Sequence, residues 1–216
     1  MQTAAVVLSL AGILLGAAGR LDWPMAWAFL GVYVGFAVLA FVALDPALIR
    51  ERSRPGAPSE RWDIRLASVA FTFFLPLTLL VAGLDVGRFG WSPPLPSWVE
   101  IGALGLFTGG YAFAFWAMRV NRFFSTFVRI QTERGHRVVS EGPYACVRHP
   151  GYAGAILAAL ALPVALGSLL ALLPASVGAA LFALRTLRED RMLQARLDGY
   201  RAYARRVRWR LLPGVL

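Results

Sequence analysis

The chain has 216 residues, of which 58% are hydrophobic and only 16% charged, and its 22 basic and 12 acidic residues give a net charge of +10. A soluble domain carries about a quarter charged residues, so this balance excludes disorder, collagen, coiled coil and an ordinary soluble globule. The basic residues are all Arg and sit between apolar blocks, which argues against a nucleic-acid binder, and the single Cys146 excludes an internal disulfide or a cysteine-rich metal site.

Five stretches contain no Asp, Glu, Lys or Arg: Met1–Gly19, Trp23–Leu44, Leu66–Leu84, Ile101–Met118 and Gly151–Leu184. About 20 apolar residues cross a bilayer core, so each of the first four reads as one span. Met1–Gly19 has no basic flank of the signal-peptide kind and reads as a retained span. The last stretch would be about 51 Å long as one helix, against a core of about 30 Å. Pro163, Gly167 and Ser168 near its middle predict a tight hairpin over 151–187. The expected fold is an all-α integral membrane protein: about four spans, a C-terminal helical hairpin and a cytoplasmic amphipathic helix. Residues 1–118 form the membrane part, and 119–216 the part where chemistry concentrates.

Arginine placement gives an independent topology. Five Arg lie between Arg50 and Arg65, six between Arg119 and Arg148 and nine between Arg185 and Arg210; only Arg20 and Arg88 stand apart. The positive-inside rule puts the three groups on the cytoplasmic face of a bacterial inner (plasma) membrane and the two others outside. The second and third groups share a side only if the hairpin goes in and returns. Arg50, Arg52, Arg54 and Arg61 read mainly as topology signal and contact with membrane lipids. Ser53–Ser59 reads as a plain loop, and Trp91–Trp98 as an outer connector with interfacial Trp anchors.

Polar and aromatic residues crowd the region after Arg119: Asn121–Gln131, Gly135–Val139, Gly142–Tyr152, Arg185–Asp190, Tyr200–Tyr203 and Val207–Arg210. Leu193, Leu197, Tyr200, Ala204 and Val207 are spaced as one apolar stripe, which predicts a C-terminal helix. Such a helix lies on the inner leaflet or closes over a site, with Glu189 and Asp190 in its first turn. His149 stands next to Arg148, with Pro150 opening the hairpin helix. The neighbouring cation favours a neutral imidazole. Gly-x-Gly-x-x-Gly, P-loop and metal-ligand spacings are absent, and no acid lies within the five apolar runs to mark an ion path.

Gly142-Pro-Tyr-x-x-Val-Arg-His-Pro-x-Tyr-x-Gly154, followed by Glu189-Asp and Tyr200-x-x-Tyr203, resembles the isoprenylcysteine carboxyl methyltransferase family. Membrane phospholipid N-methyltransferases share a similar C-terminal pattern. The resemblance spans roughly Asn121–Pro213. It implies S-adenosylmethionine as methyl donor, held by Tyr144, Arg148, His149, Tyr152 and Glu189 in a cytoplasm-facing cavity, and a lipophilic acceptor entering from the bilayer. It also implies that Arg185 lies where the family has an Arg holding the acceptor's carboxylate. Arg185 and Asn121 end different apolar runs at the cytoplasmic interface, where a lipid's polar end and the methyl donor could meet, so both are candidate catalytic residues, and the absent ligand spacing predicts no metal. Two other classes stay open: a membrane reductase using a nicotinamide cofactor, and a non-catalytic protein of the same fold. A carboxylate acceptor is already nucleophilic and needs only an Arg to hold it. An amine needs a base. Arg119, Arg122, Arg185 and Arg188 are available, and only His149 or Glu189 could serve as base, so carboxyl O-methylation is favoured over phospholipid N-methylation.

Overall fold

The computed structural model describes residues 2–53 and 60–214; the remainder of the expected loop, 54–59 with Arg54, lies outside them. The described residues are helical or irregular, with no strand among them. The elements in chain order are α1 (Gln2–Ala18), α2 (Pro24–Ala43), α3 (Pro46–Ser53), α4 (Arg61–Thr72), α5 (Thr78–Leu84), α6 (Ser97–Val120), α7 (Pro150–Ala165), α8 (Leu172–Arg196) and α9 (Tyr200–Arg206).

The apolar runs become helices because their backbone groups have no water to bond to in a bilayer. Three helical stretches are long and apolar enough to cross: α2, the continuous Arg61–Phe89 rod and α6. α1 and α7 are apolar but shorter, at 17 and 16 residues. The rod contains α4 and α5 joined by a π-helical segment, Phe73–Leu77, at Pro76. Pro76 lacks an N–H and loosens the ladder there. The buried Thr78 hydroxyl donates to the Phe73 carbonyl at 2.8 Å, which re-satisfies a freed acceptor. Phe41, Val42, Leu8 and Trp98 are strongly exposed, as side chains facing lipid should be.

The hairpin turns as its sequence predicts. Pro163 remains inside α7, and the reversal falls at Gly167, whose φ of 77° suits a residue without Cβ. Asp85 pins this tip: it accepts from the Ser168 hydroxyl and from both the amide and hydroxyl of Ser92. At the same end, Arg88 donates to the carbonyls of Gly16 and Ala17 and so satisfies the C-terminus of α1. The three Arg groups lie at the opposite end, where α3, the start of α4, the end of α6 and the end of α8 converge.

α6 and α7 cross with almost no side chain between them. A Cβ on Gly110 would sit 2.6 Å from the Gly154 carbonyl oxygen, and one on Gly154 would strike Gly110 and Ala114. Small residues permit this approach, the usual device for holding helices together in lipid. The glycine that closes the quoted motif is therefore a packing residue. It fixes α7, and with it His149 and Tyr152, against α6.

The expected amphipathic stripe exists but is not on one helix. α8 runs on through Arg196, Leu197 is extended, and Gly199 at φ 79° starts the short α9. Leu193, Leu197 and Tyr200 still pack together, with Ala204 and Val207 against them. Glu189 and Asp190 accordingly sit well inside α8, far from any helix start.

Candidate active site

Where the Arg-rich ends meet, a cavity of about 130 Å³, partly open to solvent, is lined by Asn121, Tyr144, Arg148, His149, Tyr152, Arg185 and Glu189 among others. All seven residues singled out from the sequence thus face one space, although they come from α6, the 142–149 segment, α7 and α8.

Asp190, fully buried, organises one wall. Arg148 grips it through Nε at 2.8 Å and Nη2 at 3.1 Å. Tyr200 Oη donates to it at 3.0 Å, Gln194 at 2.8 Å and Arg210 Nε at 3.0 Å, while His149 Nε2 lies 3.3 Å away. Burial raises the acid's pKa, but the hydrogen bonds from His149 and Arg148 outweigh it and hold the carboxyl well below the usual range. Arg148 also donates through Nη1 to the carbonyls of Val207 and Arg208, and the amides of Arg148 and His149 donate to Trp209 and Arg210. Its guanidinium is largely committed to the protein. It straps the C-terminal segment beneath the cavity.

The opposite wall depends on α4. Asp63, also fully buried, receives Arg185 Nε at 2.6 Å and Nη2 at 2.7 Å, and its Oδ2 accepts from the Val128 amide. Arg185 Nη2 further donates to the Thr126 carbonyl, and its guanidinium lies 5.5 Å over the Tyr152 ring. Of the three guanidinium nitrogens, Nη1 alone lacks a partner among the described residues. Glu51 from α3 holds Arg129 and Ser125 in the same loop.

Tyr152 Oη donates to Glu189 Oε2 at 2.6 Å, leaving Oε1 without a partner among the described residues. Asn121 caps α6, accepts from the Phe123 amide and donates to Tyr144 Oη at 3.2 Å. Burial pushes the Tyr144 phenol above its ordinary value. His136 stacks on Phe123 with centroids 4.6 Å apart. Burial, with Arg129 and Arg134 adding to it, lowers its pKa to about 4, so it lines the cavity uncharged.

Sequence reasoning missed Asp63, Glu51 and the hub role of Asp190. The acids were visible, but their partners lie 122, 78 and 42 residues away in the chain. Among the described residues no group of three or more His, Cys, Asp or Glu stands ready to hold a metal ion.

Residues 103–195 match the sequence model of the isoprenylcysteine carboxyl methyltransferase (ICMT) family. In fold, the chain is similar to the eukaryotic intramembrane Ras methyltransferase ICMT (isoprenylcysteine carboxyl methyltransferase), solved without a monobody. The TM-score is 0.55 and the identity 17%, over 99% of this chain and 75% of that one. No curated protein matches it in sequence. The matched segment carries most of the cavity lining, and over it the chain is similar to the isoprenylcysteine carboxyl methyltransferase family, an intramembrane member of which shares its fold.

Proposed function

We propose that the cavity binds S-adenosylmethionine and that the methyl group goes to a lipophilic acceptor from the bilayer, with a carboxylate oxygen as the favoured nucleophile. The observation that carries this reading is the half-buried Glu189, held by Tyr152 through one oxygen and leaving the other for a ligand. The donor set suits that cofactor. Glu189 can accept from an amino or ribose group, while Tyr144, Tyr152, Tyr200 and the Phe123–His136 pair offer aromatic faces for a purine. When bound, the cofactor supplies a sulfonium methyl; its C–S bond breaks as the bond to the acceptor oxygen forms.

The chain's own contribution is placement and exclusion of water rather than proton transfer. Tyr144, His149, Tyr152 and Glu189 hold the cofactor end. Arg148 secures His149 from beneath. Asn121 and Arg185 frame the acceptor end, with Asp63 fixing the guanidinium plane.

Glu189→Gln should weaken S-adenosylmethionine binding by about 1.5–3 kcal/mol, the scale of a hydrogen bond to a charged group. Isothermal titration in detergent reads this directly. An unchanged affinity in the folded variant removes Glu189 from the site, and tighter binding of a nicotinamide dinucleotide than of S-adenosylhomocysteine would reassign the chemistry.

The same proposal places the cavity on the cytoplasmic side of a bacterial plasma membrane, since the three Arg groups gather around it. Cysteines introduced after Asp22 and Arg88 in a Cys146→Ser background should react with an impermeant thiol reagent from outside. One after Gly214 should react only from within. Outside labelling at Gly214 would reverse the orientation.

A further inference from the structure

The segment that follows α9 has two sides of different chemistry. Residues Val207–Leu212 form neither helix nor strand, yet their backbone is bound inward. The carbonyls of Val207 and Arg208 accept from Arg148 Nη1, and those of Trp209 and Arg210 accept from the amides of Arg148 and His149. Leu211 is buried, and Arg210 Nε donates to Asp190. The segment is a strap, and it closes on the same acid that His149 and Tyr200 meet.

Its outward side is basic and apolar together. Trp209 is 39% exposed and Leu212 57%, and the side chains of Arg205, Arg206 and Arg208 are exposed with them. Arg148, Arg185 and Arg210 each have a carboxylate. Among the described residues Arg205, Arg206 and Arg208 have none, and their guanidinium groups donate no hydrogen bond. The position of the strap gives this composition a meaning. Arg148 and His149 immediately precede Pro150, the first residue of the apolar helix α7, so the strap lies level with the point where that helix begins. In a bilayer that is the height of the lipid headgroups. Indole and leucyl groups there reach the acyl boundary, while Arg side chains meet phosphate. Each further Arg near an anionic leaflet adds to the attraction.

We propose that the strap docks on an anionic phospholipid leaflet through Arg205, Arg206, Arg208, Trp209 and Leu212, and that docking braces the wall formed by His149 and Asp190. The two sides are one piece of backbone: residues whose side chains face lipid give their carbonyls to Arg148 and His149. Lipid that binds the closed strap suppresses its local opening, and with it the loss of these hydrogen bonds. A zwitterionic leaflet offers the apolar contact without net negative charge and holds the strap less well. The docking does not depend on which cofactor or acceptor the cavity takes.

The full chain in lipid nanodiscs provides the test, with Leu212→Cys in a Cys146→Ser background labelled by the environment-sensitive dye NBD. Emission should rise at least threefold when phosphatidylglycerol is added to phosphatidylcholine discs, and molar salt should cancel the rise by screening. The joint substitution Arg205→Gln, Arg206→Gln and Arg208→Gln should cancel it as well. Hydrogen exchange of the unlabelled wild type, read on peptides spanning Val147–His149, should slow at least threefold with phosphatidylglycerol. Equal emission in the two discs, or a rise that persists in molar salt or in the folded triple variant, overturns the docking. The salt series needs no substitution in the Arg group and decides the matter if the triple variant does not fold. A rise in emission without slower exchange overturns the bracing. Soluble glycerophosphoglycerol that reproduces the rise in phosphatidylcholine discs makes the strap a site for free phosphate esters and overturns docking on lipid.

Discussion

Asp190→Asn is expected to remove about 3–5 kcal/mol of stability, the cost of leaving buried cations without their carboxylate, and to abolish S-adenosylhomocysteine binding. Arg148, His149, Tyr200, Gln194 and Arg210 all converge on this one acid. Asn keeps the shape but loses the charge, and its amide places donors opposite donors. The pH dependence gives a second readout. A carboxyl held well below its usual pKa contributes fully above the unfolded value of about 3.9. That contribution is lost as the pH falls further towards the folded value. The wild type should therefore outlast the Asn variant in thermal denaturation at neutral pH, and the gap should close only below about pH 4. Two proteins with equal midpoints at pH 7 would show that the hub is not structural. Arg210→Gln is a milder control, because Arg210 is partly exposed and is one of several partners.

Arg185→Lys should lower turnover at least tenfold, about 1.4 kcal/mol of transition-state stabilisation, while S-adenosylhomocysteine still binds. Lysine carries the charge but has no planar fork. It cannot reach both oxygens of Asp63 and the Thr126 carbonyl together, as Arg185 does. The loop bearing Val128 and Thr126 would then lose a tie to α4 at this wall of the cavity. Arg185→Met leaves Asp63 buried and unpaired and should destabilise by about 3–5 kcal/mol. Adding Asp63→Asn to it should restore part of that loss, which a thermal-shift series in detergent measures. Near-normal turnover in the Lys variant would mean that the fork geometry is immaterial. Simple snorkelling to the interface is already a poor description, since the guanidinium is buried against a carboxylate.

Much of this arrangement is written locally. Uncharged runs mark the helices because a charged side chain in the bilayer core is expensive, and the hairpin reverses at Gly167 because a left-handed residue there favours glycine. The Arg groups foretold which helix ends lie together. The quoted motif foretold that Tyr144, Arg148, His149, Tyr152 and Glu189 lie near one another, and they line one cavity between the α6–α7 connection and the C-terminal half of α8. The division of labour among these residues was not legible. Arg148 and Arg185 look alike as sequence, yet one braces the C-terminal segment through Asp190 and the other locks a loop to α4 through Asp63. The apolar stripe from Leu193 to Val207 reads as one helix, but Gly199 divides it so that Tyr200 and Tyr203 turn inward. Local pattern decides where a helix runs and which face is apolar, because those costs are settled within a turn of chain. Which acid neutralises which buried Arg is settled by the packing of helices remote in sequence, and that belongs to the tertiary structure alone.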